Sequence, residues 1–211
     1  MALDELLDEH EQGERVRDWL RSNAPGLIGG LVLGLCIIFG WRWWTEQAHA
    51  KRIATGDSYR AVQESIGAGN LKQAAEQAQA LADSAYAGLV ALDLAKAQVE
   101  AGESEAAIAT LRAASQDEDA GLAAVVRQRL ARLLIDTGKA EEALGLLAGA
   151  DDAASRETRG DAHFALGRAE QAATEYQAAL RQLDVASPQR MLVELKLGEA
   201  GGAPEAEEVE S

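Results

Sequence analysis

The sequence is poor in cysteine, proline, aromatic residues and positive charge. There is one cysteine among 211 residues, Cys36, and it lies inside an apolar run. The rest of the chain therefore has no internal disulfide, no thiol nucleophile and no thiolate metal site. The histidines are His10, His49 and His163, scattered without metal-ligand spacing. No phosphate-cradling glycine loop, nucleophile elbow or zinc motif occurs, so the residues predict neither an enzyme nor a bound cofactor or metal. Lys and Arg number 20 against 35 Asp and Glu, a net charge of −15. Such a polyanion repels phosphate backbones, which argues against a nucleic-acid partner. Proline occurs three times, and Trp, Tyr and Phe number four, three and two. Ala and Leu dominate instead, both strong helix formers, and β-branched residues are sparse. The expected fold class is all-α.

One segment has no charge at all. Ala24 to Trp41 reads APGLIGGLVLGLCIIFGW. A helix of this length approaches the roughly 30 Å hydrocarbon core of a bilayer. Ser22 and Asn23 are good N-cap residues, and Pro25 then falls in a first turn. Trp41, Trp43 and Trp44 cluster beside Arg42 at one end, with Trp19 and Arg21 at the other, as expected of two interfaces with a lipid bilayer. Ala48-His49-Ala50 has the look of a signal cleavage site. The preceding 23 residues, however, carry seven acids against Arg15, Arg17 and Arg21, whereas a signal peptide begins short and positive. A retained transmembrane anchor over 24–44 is expected, after a short acidic segment over 1–23. Basic residues flank the span almost evenly, so positive charge does not orient it. The short tail favours an N-terminus inside. Gly26, Gly30 and Gly34 share one helix face at a spacing of four, a surface on which a neighbouring membrane helix can approach closely.

From residue 45 to 198 the chain alternates apolar helical stretches with short breaks. Four breaks are informative: Gly69-Asn70, Gly102-Glu103, Gly138-Lys139 and Gly167-Arg168. They recur near the 34-residue period of a tetratricopeptide unit. After each of the last three comes a small residue, then a large one, then a small one: Ala107, Leu111, Ala114; Ala143, Leu147, Ala150; Ala172, Tyr176, Ala179. Gly69 begins a weaker copy with Ala74, Ala78 and Leu81. A small residue lets two helices cross closely and a large one fills the space beside it. This predicts an α-solenoid of about four degenerate tetratricopeptide-like helix pairs. A helix near 189–198 closes the array, and an acidic tail over 199–211 is expected to be disordered. The first helices of such an array line an inner face. Tyr59, Gln63, Leu92, Lys96, Gln128, Arg132, Asp161 and Phe164 are the candidate partner-binding residues there, a mixture suited to an extended or loosely folded polypeptide.

The combination resembles the ancillary SecYEG translocon subunit family of Gram-negative bacteria, also called the YfgM family. The stretches that carry the resemblance are RVRDWLRSNAPGLIGGLVLGLCIIFGWRWW, YAGLVALDLAKAQVEAGESEAAIATL, AVVRQRLARLLIDTGKAEEALGLL and RGDAHFALGRAEQAATEY. The resemblance implies a single-pass inner-membrane protein with a cytoplasmic N-terminus and a periplasmic repeat domain. It implies association with the SecYEG translocon and with the membrane-anchored periplasmic peptidyl-prolyl isomerase PpiD. The implied role is to help pass exported polypeptides to periplasmic chaperones, without catalysis. A second possibility is a membrane tether that controls a cytoplasmic stress-response regulator or scaffolds another envelope assembly complex. Lipid-anchored repeat proteins of that second kind carry a cysteine after a short signal, a context that Cys36 lacks.

Overall fold

A computed structural model describes residues 2–115 and 120–203. Among these residues the chain is helical: α1 (Ala2–Gly67), α2 (Leu71–Gln79), α3 (Ala87–Glu100), α4 (Ser104–Ala114), α5 (Ala120–Asp136), α6 (Ala140–Leu147), α7 (Ala153–Ala165), α8 (Ala169–Leu180) and α9 (Pro188–Glu199). The chain divides into two units, Met1–Ala54 and Thr55–Ser211.

The first unit is helix. It contains an eighteen-residue window apolar enough to cross a membrane, in a stretch beginning at Ile28, with none of the window buried by protein. Ile28, Leu31, Leu33, Ile37 and Phe39 all present their side chains outward. Such a surface is unfavourable in water and matches a lipid environment. The rings of Trp41 and Trp44 lie 5.7 Å apart at one end of it. Ser22 and Asn23 do not start the helix, contrary to the expectation from their cap-forming side chains. Helix α1 begins at Ala2, and Pro25 lies inside it. Ser22 Oγ and Asn23 Nδ2 both donate to the Trp19 carbonyl, at 3.0 and 2.9 Å, as interior polar residues do. Proline removes one backbone donor, yet the helix continues through it.

The second unit is built from helical hairpins. Gly69, Gly102, Gly138 and Gly167 have φ between 72° and 79°, a region that costs other residues dearly. In each case the residue after the glycine donates its N–H to a carbonyl five residues back, as Glu103 does to Gln98 at 2.7 Å and Lys139 to Leu134 at 2.7 Å. This turn ends a first helix and starts the next. Ala107, Ala143 and Ala172 are fully buried at the helix crossings, and Leu111, Leu147 and Tyr176 are buried beside them. The final pair exchanges sizes: Tyr176 replaces leucine, and a methyl group added to Gly160 would overlap the Tyr176 ring. The buried residues form three clusters along the array, one around Val62, Ala74 and Leu94, one around Leu130 and Leu134, and one around Val193 and Leu197.

A fifth turn follows α9. Gly201 has φ 80°, and Gly202 N–H donates to the Leu197 carbonyl at 2.9 Å. Gly201 stands 34 residues after Gly167, so α9 occupies the place of another first helix. It departs from that pattern at Glu194. Seven residues before their turn glycines the partnered first helices have Val62, Ala95, Ala131 and Gly160, all apolar or small. Glu194 instead accepts from Arg190 at 3.0 Å. Residues 199–203 of the expected tail thus complete α9 and its turn, and residues 204–211 lie outside the described residues.

Candidate functional site

The first helices α1, α3, α5, α7 and α9 can be compared by counting back from their turn glycines. Tyr59 and Gln63 stand ten and six residues before Gly69; Leu92 and Lys96 before Gly102; Gln128 and Arg132 before Gly138; Glu157 and Asp161 before Gly167. Seven of the eight candidate partner-binding residues belong to this register. The structure shows what each pair meets on the following first helix.

At the α1–α3 junction, Tyr59 Oη donates to Asp93 Oδ2 at 3.2 Å. Gln63 Nε2 donates to the same carboxylate and to Tyr59 Oη. Burial pushes the Tyr59 hydroxyl above its usual range, and the Asp93 charge adds to the effect. At α5–α7, Gln128 Nε2 donates to the Ala154 carbonyl at 2.8 Å and to the Thr158 hydroxyl. Arg132 Nε reaches the Thr158 hydroxyl at 3.5 Å and lies 4.0 Å from Glu157.

The α7–α9 junction is charged. Glu157, with a side chain 3% exposed, accepts from Lys196 Nζ and Gln189 Nε2, each at 2.7 Å. Lys196 also donates to Asp161 at 2.8 Å, and Asp161 accepts from the Tyr176 hydroxyl at 2.8 Å. Burial would raise the Glu157 carboxyl, but hydrogen bonds from Lys196 and Gln189 outweigh it and hold it below the usual range. Burial would likewise lower Lys196, and its two carboxylate partners raise it instead. A buried anion without such partners would be strongly unfavourable.

The α3–α5 junction has no such closure. Among the described residues neither Leu92 nor Lys96 bonds to α5. Lys96 lies 3.9 Å from Glu100 on its own helix. The residue that faces this register on α5, nine before its turn glycine, is Arg129, where α3 and α7 have Asp93 and Thr158. A cleft of about 700 Å³ opens there. Its floor includes Ala95, Leu111 and Leu133, all buried, and its sides include the half-exposed Val99 and Val125. A second, more polar cleft of about 680 Å³ adjoins it, sharing Arg132 and Asp136 and reaching Leu192 and Lys196. Phe164, 45% exposed, lines neither cleft.

Seven of the eight inner-face candidates line the junctions, and Arg132 both reaches Thr158 and borders the two clefts. Tyr59, Gln63, Gln128 and Asp161 are occupied by hydrogen bonds within the domain, and Leu92 and Lys96 face the cleft. Sequence reasoning missed Val99, Val125 and Arg129, which complete that cleft. The glycine face belongs to the first unit. Added methyl groups at Gly26, Gly30 and Gly34 would meet nothing within 4 Å. No group of three or more metal-ligating side chains occurs among the described residues.

Comparison with known proteins adds the family. A family model described as a tetratricopeptide repeat-like domain matches residues 17–202. The chain is 32% identical over 145 residues to the ancillary SecYEG translocon subunit of Escherichia coli (strain K12), covering 66% of this chain and 69% of that protein. It is 32% identical over 148 residues to a protein of the same name from Haemophilus influenzae, covering 67% and 71%. The chain belongs to this tetratricopeptide repeat-like family of ancillary SecYEG translocon subunits.

Proposed function

We propose that the chain is a non-enzymatic ancillary subunit of the SecYEG translocon. It is anchored in the inner membrane by its apolar helix, with the N-terminus cytoplasmic and the repeat domain periplasmic. The domain binds polypeptide and helps pass exported chains to periplasmic chaperones. A membrane-anchored periplasmic isomerase of the PpiD kind is its second partner. The observation that carries this reading is the 32% identity, over about two thirds of the chain, to two proteins named for that association. Two features support it. An apolar helix precedes a repeat domain, and stacked helix pairs suit the binding of extended polypeptide.

The glycine face is the proposed helix-packing surface of the anchor. In lipid, close approach of backbones replaces the hydrophobic effect as the source of helix association, and small residues permit it. The test combines topology and association. A reporter active only in the cytoplasm, fused after residue 198, should be silent, and SecYEG should co-purify with the full chain in mild detergent. Gly30→Leu should reduce that recovery while the repeat domain keeps its helical signal. An active reporter would reverse the orientation, and absence of SecYEG from the parent preparation would overturn the role.

A further inference from the structure

The inner face divides by chemistry. Three junctions spend their polar groups on one another, and one does not. At α3–α5 both halves of the clamp are changed. Leu92 and Lys96 take the register of Tyr59 and Gln63, and Arg129 takes the register of Asp93. Leucine has no hydrogen bond to give, and two cations repel, so the junction cannot close as the others do. The result is an apolar cleft with Lys96 on one side and Arg129 on the other.

The anions at this cleft do not cancel those cations. Asp93 is taken by Tyr59 and Gln63 in the preceding junction. Glu100 and Asp136 stand two residues before the turn glycines, in the last turns of α3 and α5, so they mark one end of the cleft. Lys96 and Arg129 stand six and nine residues before those glycines, nearer its middle. Glu100 approaches Lys96 only to 3.9 Å, and both side chains are more than two-thirds exposed, a weak pair in water.

We propose that the α3–α5 junction is the polypeptide recognition site of the domain, and that it selects an aliphatic side chain followed by a carboxylate. The aliphatic group enters between Leu92, Val99 and Val125, and the carboxylate lies between Lys96 and Arg129. Fork-shaped donation from Arg129 suits a planar carboxylate. The net charge of −15 repels a run of acids, so the preferred segment carries a single acid beside its apolar residue. The site rests on the adaptor reading above and gives that reading a ligand chemistry.

The test uses the full chain in nanodiscs and three labelled peptides on one Gly-Ser background, carrying Leu-Leu-Glu, Leu-Leu-Lys or Ser-Ser-Glu. Anisotropy should show Leu-Leu-Glu binding about tenfold more tightly than either control, the discrimination expected of one good charged contact or one buried aliphatic group. Arg129→Glu should abolish the preference for Glu over Lys. Leu92→Gln combined with Arg129→Thr installs the pair that closes α5–α7. It should weaken Leu-Leu-Glu about tenfold with no fall in Tm. Lys96→Glu, at an exposed position, repeats the charge test should either variant fold poorly. Equal binding of the three peptides by the parent overturns the proposal, as does an unchanged preference in Arg129→Glu or Lys96→Glu. SecYEG recovery is measured on the same preparations. Retained recovery with absent peptide selectivity overturns this site alone, whereas loss of recovery from the parent overturns the adaptor reading.

Discussion

The α7–α9 and α3–α5 junctions are made from the same register of the same repeat, and they do opposite things. At α7–α9 a buried glutamate, an aspartate, a lysine and a glutamine satisfy one another and tie the last helix to the array. At α3–α5 Leu92 and Lys96 stand where α7 has Glu157 and Asp161, Arg129 stands where α9 has Leu192, and a cleft opens with no bond across it among the described residues. A solenoid places one set of positions on its inner surface at every repeat. Polar groups that bond to the next helix turn that set into structure. Groups that cannot bond leave it for a ligand.

The comparison fails altogether if the repeat register is wrong, which gives the largest expected effect. Ala143 is fully buried at a helix crossing. Ala143→Asp places an unpaired charge there at a cost of about 3–5 kcal/mol, a large part of a typical domain's stability. Circular dichroism should show a collapsed or strongly lowered melt. A parent-like melt would mean that the crossing has been misplaced.

Next in size is the closed junction. Lys196→Met leaves Glu157 buried with only Gln189 and the more distant Arg132, and should cost about 3 kcal/mol. The effect has a pH signature. Glu157 is held below its ordinary value of 4.5, so its contribution is complete above that pH and fades as pH falls through the depressed value. Lys196 is held above 10.5, so its contribution is complete below that pH and fades as pH rises through the raised value. The gap in Tm between parent and variant should be widest between those limits and narrow in acid. A gap that stays constant below pH 4.5 would remove Glu157 from the clamp.

Much of this architecture was legible in the sequence. The turn glycines set the period, and the residues at fixed offsets after them named the crossings. Analogy with the first helices of such repeats named most of the inner face. Two things were hidden. The bond that each inner-face residue makes lies on the following repeat, so Gln128 and Asp161 read as ligand-facing until Thr158 and Lys196 are seen opposite. The walls of the open cleft, Val99 and Val125, look like ordinary core valines, because apolar periodicity does not distinguish a covered face from a half-covered one. The helix start at Ser22 also misled. Cap-forming residues before a proline signal an N-terminus only when the preceding turn is not itself helical.

A smaller effect lies in the fourth hairpin, where α7 meets α8. Gly160→Ala drives a methyl group into the Tyr176 ring, and overpacking of this kind costs about 1–3 kcal/mol. Pairing it with Tyr176→Leu, which restores the leucine found at Leu111 and Leu147, should recover part of the loss in a thermal melt. Additive losses would show that the two residues do not exchange size for size. The smallest effect belongs to the open junction. Lys96→Ala removes an exposed side chain with one weak partner and should change stability by less than about 0.5 kcal/mol. A larger loss would reveal a structural bond that closes this junction.

The division of the inner face is tested most directly by photocrosslinking from its two clefts. A photoreactive residue replaces Val99 at α3–α5 in one full-length variant and Leu192 at α7–α9 in another. Both positions are apolar and nearly half exposed, and neither makes a clamp bond. After illumination of membranes engaged in export, crosslinked polypeptide should accumulate from position 99 at several times the yield from position 192. Equal yields, or a higher yield from position 192, would contradict the assignment of the open junction as the binding surface.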